Sequence, residues 1–148
     1  MRTLYTAVAT ATDAGRNGRT RTSDGKLDLA LSMPVEMGGP GGDGTNPEQL
    51  FAAGYAACFA NAIRSVARRE KREEVVEGAT VTARVHIGAI GGGRFGLAAT
   101  LAVTVPALGD DEAAELVAKA HERCPYSNAA RGGMAVELQS AGGAEAAA

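Results

Sequence analysis

The sequence predicts an α+β domain, and three observations predict it. Residues 81–87 and 97–105 alternate apolar and polar side chains on either side of the glycine-rich stretch GAIGGGRFG, which reads as a β-hairpin. Residues 50–63 are almost all apolar or small and follow a helix-start signature, the pattern of a buried central helix. The order is strands, central helix, hairpin, second helix, strand, which is not the regular alternation of a βαβ protein. A chain of 148 residues holds one core but not two comfortable ones. The expectation is one domain over residues 1–140, with AGGAEAAA at 141–148 a flexible, frayed tail.

Residues 4–12 are strand-like. Leu27, Leu29 and Leu31 alternate with Asp28, Ala30 and Ser32, a strand with one buried face. Between them Gly15, Arg16, Asn17 and Gly18 read as a turn. MGGPGGDGTNP, residues 37–47, is a glycine/proline loop that must bend sharply or pass close to a neighbour. The central helix has two possible starts. Asn46 can be the N-cap with Pro47 at the first helical position, or Thr45 can cap it with Glu48 closing a capping box. RSVARREKREEVVEG then reads as a solvated helix end turning at Gly78. In DDEAAELVAKAHERC, Asp110 or Asp111 caps a second helix, acids fill its first turn, and Pro125 stops it. Met134, Val136 and Leu138 alternate as a last short strand.

Composition narrows the function. The net charge is −2, which gives no reason to expect nucleic acid or an anionic membrane as partner. The apolar stretch from 50 to 63 is interrupted by Asn61 and is short for a membrane span, and the N-terminus lacks the apolar core of a signal peptide. The expected location is therefore the cytoplasm, where two cysteines argue for redox or catalytic use over a disulfide framework.

Those cysteines are Cys58, in the middle of the central helix, and Cys124, at the C-terminus of the second helix just before Pro125. A lone buried cysteine is most often inert packing. A thiol held in a core and another on a helix edge that can move, however, is the layout of an attacking and a resolving thiol. The nucleophile is the thiolate; burial opposes its formation, and the middle of a helix gives little dipole assistance, so Cys58 needs a nearby cation. Cys124 lies at the negative end of its helix and suits the resolving role. His121 and Cys124 would be half of a metal site; no second pair is visible, and no bound metal or cofactor is expected.

TNPEQLFAAGYAACF and AHERCPYSN, together with LYTAVATATDAGRNG, SDGKL and GRFGLAATLAV, resemble the organic hydroperoxide resistance proteins of the Ohr/OsmC family, over most of the chain. The resemblance implies an OsmC-like fold, two antiparallel-rich β-sheets around central helices, in an intertwined homodimer with active sites at the subunit interface. It implies a thiol-dependent peroxidase acting on organic hydroperoxides, fatty-acid hydroperoxides included. The reactive cysteine falls on Cys58, the resolving cysteine on Cys124, the arginine on Arg16 (with Arg19 and Arg21 close by), and the glutamate on Glu48. The implied reductant is external: the dihydrolipoamide dithiol of a lipoylated protein.

The carried-over residues meet the physical needs. Arg16 supplies a cation that never deprotonates, and Glu48 can fix its guanidinium plane through a bidentate pair. Taken singly, Arg16 reads as a solvated turn residue and Glu48 as half of a capping box; the motif context favours the functional roles. Ten residues on a straight helix span ~15 Å. Either the chain bends between Glu48 and Cys58, or the arginine and glutamate serving one Cys58 come partly from the partner; the second is expected. An apolar pocket lined by Phe51, Tyr55 and Phe59, or their partner equivalents, would favour an oily hydroperoxide over hydrogen peroxide. The rival readings are a broader-range OsmC-type peroxidase and a redox-sensing or ligand-binding disulfide switch with little turnover.

Overall fold

A computed structural model of the chain describes residues 1–12 and 14–140, so the expected tail at 141–148 lies outside the described residues. In chain order the elements are strands β1 (Ala9–Thr12), β2 (Arg19–Thr22) and β3 (Asp28–Ala30), helix α1 (Pro47–Arg69), strands β4 (Thr80–Gly91) and β5 (Arg94–Thr104), and helices α2 (Asp110–Arg123) and α3 (Pro125–Gly132). Short 3-10 turns lie at Gly15–Asn17, Val35–Met37 and Glu73–Val76. The class is α+β, as expected. By packing, the chain forms two units: Met1–Ala57 with Thr80–Thr104, and Cys58–Ala79 with the chain from Val105 onward.

The first unit carries both sheets. β1, β2 and β3 form an antiparallel sheet in that order, with Thr20 opposite Leu29 and Thr10 opposite Arg21. β2, sequence RTRT, is absent from the sequence reading because it has no apolar alternation; its neighbours on both sides supply its ladder. β1 is shorter than expected: Leu4 and Tyr5 precede it, 84% and 79% exposed. β4 and β5 pair as the expected hairpin, with Val81 opposite Val103 and Val85 opposite Ala99. Most of the glycine-rich connection is itself strand. The turn is only Gly92 and Gly93, both at positive φ, as a two-residue hairpin demands, with a register shift at Ala89/Gly91.

The loop before α1 depends on two close approaches. A side chain on Gly39 would meet the Met33 carbonyl oxygen at 2.3 Å, and one on Gly44 the Leu31 carbonyl carbon at 2.6 Å. Helix α1 then starts at Pro47. Asn46 is its N-cap, with Oδ1 accepting the Gln49 N–H at 2.8 Å, while Thr45 Oγ1 donates to the Gln49 side chain. The capping-box alternative is thus not adopted, and Glu48 is left for another partner.

The expectation that α1 is buried all round is corrected. Phe51, Ala53, Ala57 and Asn61 are exposed, and the buried positions form one stripe. By length and composition α1 is long and apolar enough to cross a membrane, contrary to the sequence estimate. Its buried stripe is nevertheless that of a core helix: in the second unit Phe59, Ala62, Ile63, Val66 and Ala67 are buried together with Val76, Val105, Leu116 and Ala120.

At α2 the N-cap is Gly109, with no side-chain cap; Asp110 and Asp111 occupy the first turn instead. Pro125 does not merely stop α2; it opens α3 as its first residue. The expected last strand does not form. Residues 133–140 have no regular structure and pair with no strand among the described residues, and Met134, Val136 and Leu138 are 71%, 70% and 90% exposed.

Candidate active site

The first unit builds an arginine–carboxylate pair. The end of β3 is the spine that aligns it. The Leu31 N–H donates to Gly18 O at 2.9 Å, and Asn17 Oδ1 accepts the Met33 N–H at 3.0 Å, so the Gly15–Asn17 turn is tied to one side of residues 31–33. On the other side Ser32 N–H donates to Thr45 O and Thr45 N–H to Ala30 O, which fixes the start of α1. Arg16, on the turn, and Glu48, in the first turn of α1, are thereby brought face to face. Nη1 donates to Oε2 at 2.8 Å and Nη2 to Oε1 at 2.7 Å, a bidentate pair, half-buried on both sides. Each partner stabilises the other's charge. The hydrogen bonds from Arg16 hold the Glu48 carboxyl below the usual carboxylate range, and those to Glu48 raise the Arg16 guanidinium further above its ordinary value. Arg19 is committed elsewhere, to Asp28 at 2.6 Å, which singles out Arg16 as the arginine that meets Glu48.

Beside Arg16 lies a cleft of about 430 Å³ walled by Met33, Met37, Ile87 and Phe95. A second, of about 300 Å³, is lined by Glu48, Pro34, Ala52 and Val85 and shares Glu36, Met37 and Ile87 with the first. The residues expected to line a pocket at Cys58 belong to neither cleft. Phe59 is a core residue at 1% exposure, Tyr55 is buried, and Phe51 stands edge-on to Tyr55 at 6.0 Å. Ile87 was legible as part of the 81–87 alternation, but Met33, Met37 and Phe95 carry no spacing signal, and nothing in the sequence marked any of the four as cleft-lining.

The second unit builds a thiol pair. Cys58 and Cys124, 66 residues apart in sequence, are both free, and their sulfurs are 3.5 Å apart with the Cys124 thiol donating. Cys124 is the more buried of the two, at 0% exposure, and Cys58 is half-buried. That reverses the expected layout of a core thiol and an edge thiol. The reason is α3: the chain does not leave at Pro125 but folds into a further helix, and Cys124 becomes the residue enclosed between the two.

Burial pushes the Cys58 thiol up, a backbone hydrogen bond from Tyr126 pulls it down, and the neighbouring Cys124 raises it again; the net direction is upward. The Tyr126 contribution was missed in sequence. Tyr126 is the second residue of α3, so its N–H is one of the donors a helix N-terminus leaves unpaired, and it meets the sulfur at the positive end of the helix dipole. The signal was Pro125, which favours a first helical position as much as it ends a helix. His121, the other half of the metal pair considered from sequence, packs its ring against Phe59 at 6.5 Å, and no group of three or more candidate metal ligands occurs among the described residues.

The chain is α+β, with a bidentate arginine–glutamate pair in one unit and two adjacent free thiols in the other, and the comparisons with known proteins give its family. Residues 39–139 match the model of the OsmC-like protein family. The chain is 54% identical over 135 residues to an organic hydroperoxide resistance protein of Xanthomonas axonopodis pv. citri, covering 91% of this chain and 93% of that one. It is similar to the crystal structure of an organic hydroperoxide resistance protein from Legionella pneumophila, with TM-score 0.82, 52% identity, and coverage of 89% of this chain and 93% of the other. A putative organic hydroperoxide resistance protein of Vibrio cholerae, solved with captopril in one of its active sites, gives TM-score 0.81 and 54% identity, covering 89% of this chain and 88% of that one. The chain belongs to the OsmC-like protein family, in its organic hydroperoxide resistance branch.

Proposed function

We propose that the protein is a cysteine-based peroxidase that reduces organic hydroperoxides, fatty-acid hydroperoxides among them, to alcohols. Relatives named for organic hydroperoxide resistance support a peroxide-detoxifying redox role. The observation that carries the finer reading is the 3.5 Å separation of two free thiols drawn from distant parts of the sequence. A disulfide needs ~2.05 Å, so a modest closure joins them.

In the proposed cycle the Cys58 thiolate attacks the terminal peroxide oxygen. The O–O bond breaks, the alkoxide takes a proton to leave as alcohol, and the sulfur becomes a sulfenic acid. Cys124 then attacks that sulfur, the S–S bond forms, and the hydroxyl departs as water. An external dithiol, dihydrolipoamide on a lipoylated protein, reduces the disulfide by exchange. The cycle uses no bound metal or cofactor. Arg16, its plane held by Glu48, stabilises the thiolate and the charge developing on the peroxide. The apolar cleft beside Arg16 suits an oily R group and gives hydrogen peroxide little to bind. From the helix rise given above, we take the Arg16–Glu48 pair serving each Cys58 to come from a second copy, in a homodimer working in the cytoplasm.

The test is consumption of cumene and linoleic hydroperoxides with dihydrolipoamide. Cys58→Ser should be dead. Cys124→Ser should lose sustained turnover yet form one sulfenic acid per chain. Equal activity in wild type and both variants would end the proposal, and preference for hydrogen peroxide would replace it with the broad-range reading.

A further inference from the structure

Cys124 is the single residue between α2 and α3, and its backbone belongs to both helices. Its N–H donates to Ala120 O at 2.9 Å, closing α2, and its carbonyl accepts the Asn128 N–H at 2.9 Å, opening α3. The residue itself is extended, at φ −72° and ψ 122°. The position of its sulfur is therefore set by the angle of the corner between the two helices.

That corner has a defect built into it. In a continuous helix the His121 carbonyl would accept from the N–H four residues on, but that residue is Pro125, which has none. The missing donor is supplied from α3. Arg131 Nη1 donates to His121 O at 2.9 Å. Its Nη2 donates to Asn128 Oδ1, and the same nitrogen is 3.7 Å from Glu122 Oε2. One guanidinium thus bridges the last turn of α2 to the body of α3, across the corner that holds Cys124. A fork with five donors in one plane can do this, and a lysine ammonium cannot reproduce the geometry.

We propose that Arg131 is a positioning residue for Cys124: by fixing the α2–α3 corner it sets the rate at which Cys124 closes on an oxidised Cys58. This rests on the reading of Cys124 as the resolving thiol. Arg131 touches neither sulfur and takes no part in the attack on peroxide. It acts on the second step alone, in which the Cys124 thiolate displaces hydroxide from the Cys58 sulfenic acid, the S–S bond forms, and the hydroxide leaves as water.

The experiment is a single turnover of the full-length protein with one equivalent of cumene hydroperoxide, quenched at intervals. Sulfenic acid is trapped with dimedone, and disulfide is counted by intact mass. In Arg131→Ala the consumption of peroxide keeps its wild-type rate. Disulfide formation falls by about tenfold, the factor one lost charge-assisted hydrogen bond contributes if it appears in full in the barrier. Trapped sulfenic acid accumulates, and excess peroxide carries more Cys58 on to sulfinic acid. Arg131→Lys recovers part of the rate, since it reaches one acceptor and not two. Should Arg131→Ala fail to fold, Asn128→Ala leaves the guanidinium on His121 O but frees its other arm, and slows the second step by a smaller factor. Disulfide formation at the wild-type rate in the variant tested, or an equal slowing of both steps, overturns the proposal. A wild-type protein that forms no Cys58–Cys124 disulfide would instead overturn the functional reading on which it stands.

Discussion

At Cys58 two influences oppose each other. Burial and the neighbouring Cys124 push the thiol up, while the Tyr126 N–H at the start of α3 pulls it down, and the balance lies on the protonated side. In the proposed cycle a cation tips it, and Arg16, held by both oxygens of Glu48, is the proposed cation. The sign of the pH effect follows. The thiolate is the nucleophile, so any loss of positive charge near it moves the rate–pH profile upward. Arg16→Met should shift the midpoint of the attack rate upward and slow attack at pH 7 by at least about tenfold, one pH unit's worth of thiolate. Stopped-flow measurement with cumene hydroperoxide across pH checks this, and an unmoved profile would remove Arg16 from the account. Both pairings, Cys58 with Cys124 and Arg16 with Glu48, were expected from the family resemblance, because short motifs keep residue type and spacing together. Which thiol is the more buried was not, since it depends on a helix that the sequence reading ended at Pro125.

The helices and loops show why some local signals succeed and others fail. The hairpin was legible because alternation, glycine turn and pairing all lie within 25 residues, Thr80 to Thr104. The N-cap was legible only as a choice between Asn46 and Thr45, because both offer the same local hydrogen bond, and the structure takes Asn46. β2 was not legible, since Arg and Thr on a two-sided polar strand give no periodic signal and only its neighbours make it a strand. The cap at Asn46 also has a consequence beyond the helix. It fixes the first turn of α1, and that turn places Glu48 opposite Arg16. Asn46→Ala should cost about 1 kcal/mol, the usual value of a lost N-cap, read as a lower urea midpoint at unchanged slope. It should also slow peroxide attack, because the carboxylate that orients Arg16 loosens with the turn. A variant destabilised by that amount with unchanged kinetics would show that the carboxylate is held by other means.

Across the whole chain, several large apolar side chains have no cover. Leu4, Tyr5, Phe95, Leu97, Met134, Val136 and Leu138 are all more than half exposed. The alternation of Met134, Val136 and Leu138 was read correctly as a pattern and wrongly as a strand of this chain, because a ladder needs a neighbour and this segment pairs with none among the described residues. A second copy is the proposed cover. Leu138→Asp then forfeits about 1.5–3 kcal/mol of apolar burial per site, which is tenfold or more in the dimer constant. Light scattering behind size exclusion should show dissociation, and peroxidase activity should fall with it; a fully active monomer would contradict the shared site. The central claim, that Cys58 and Cys124 form one peroxide-reducing couple, is tested most directly by counting thiols and weighing the intact chain after one equivalent of cumene hydroperoxide without reductant. The account predicts that wild type loses both thiols and two hydrogens while releasing one equivalent of alcohol, and that Cys58→Ser consumes no peroxide. Two thiols still titratable in wild type, or peroxide consumed by Cys58→Ser, would contradict it.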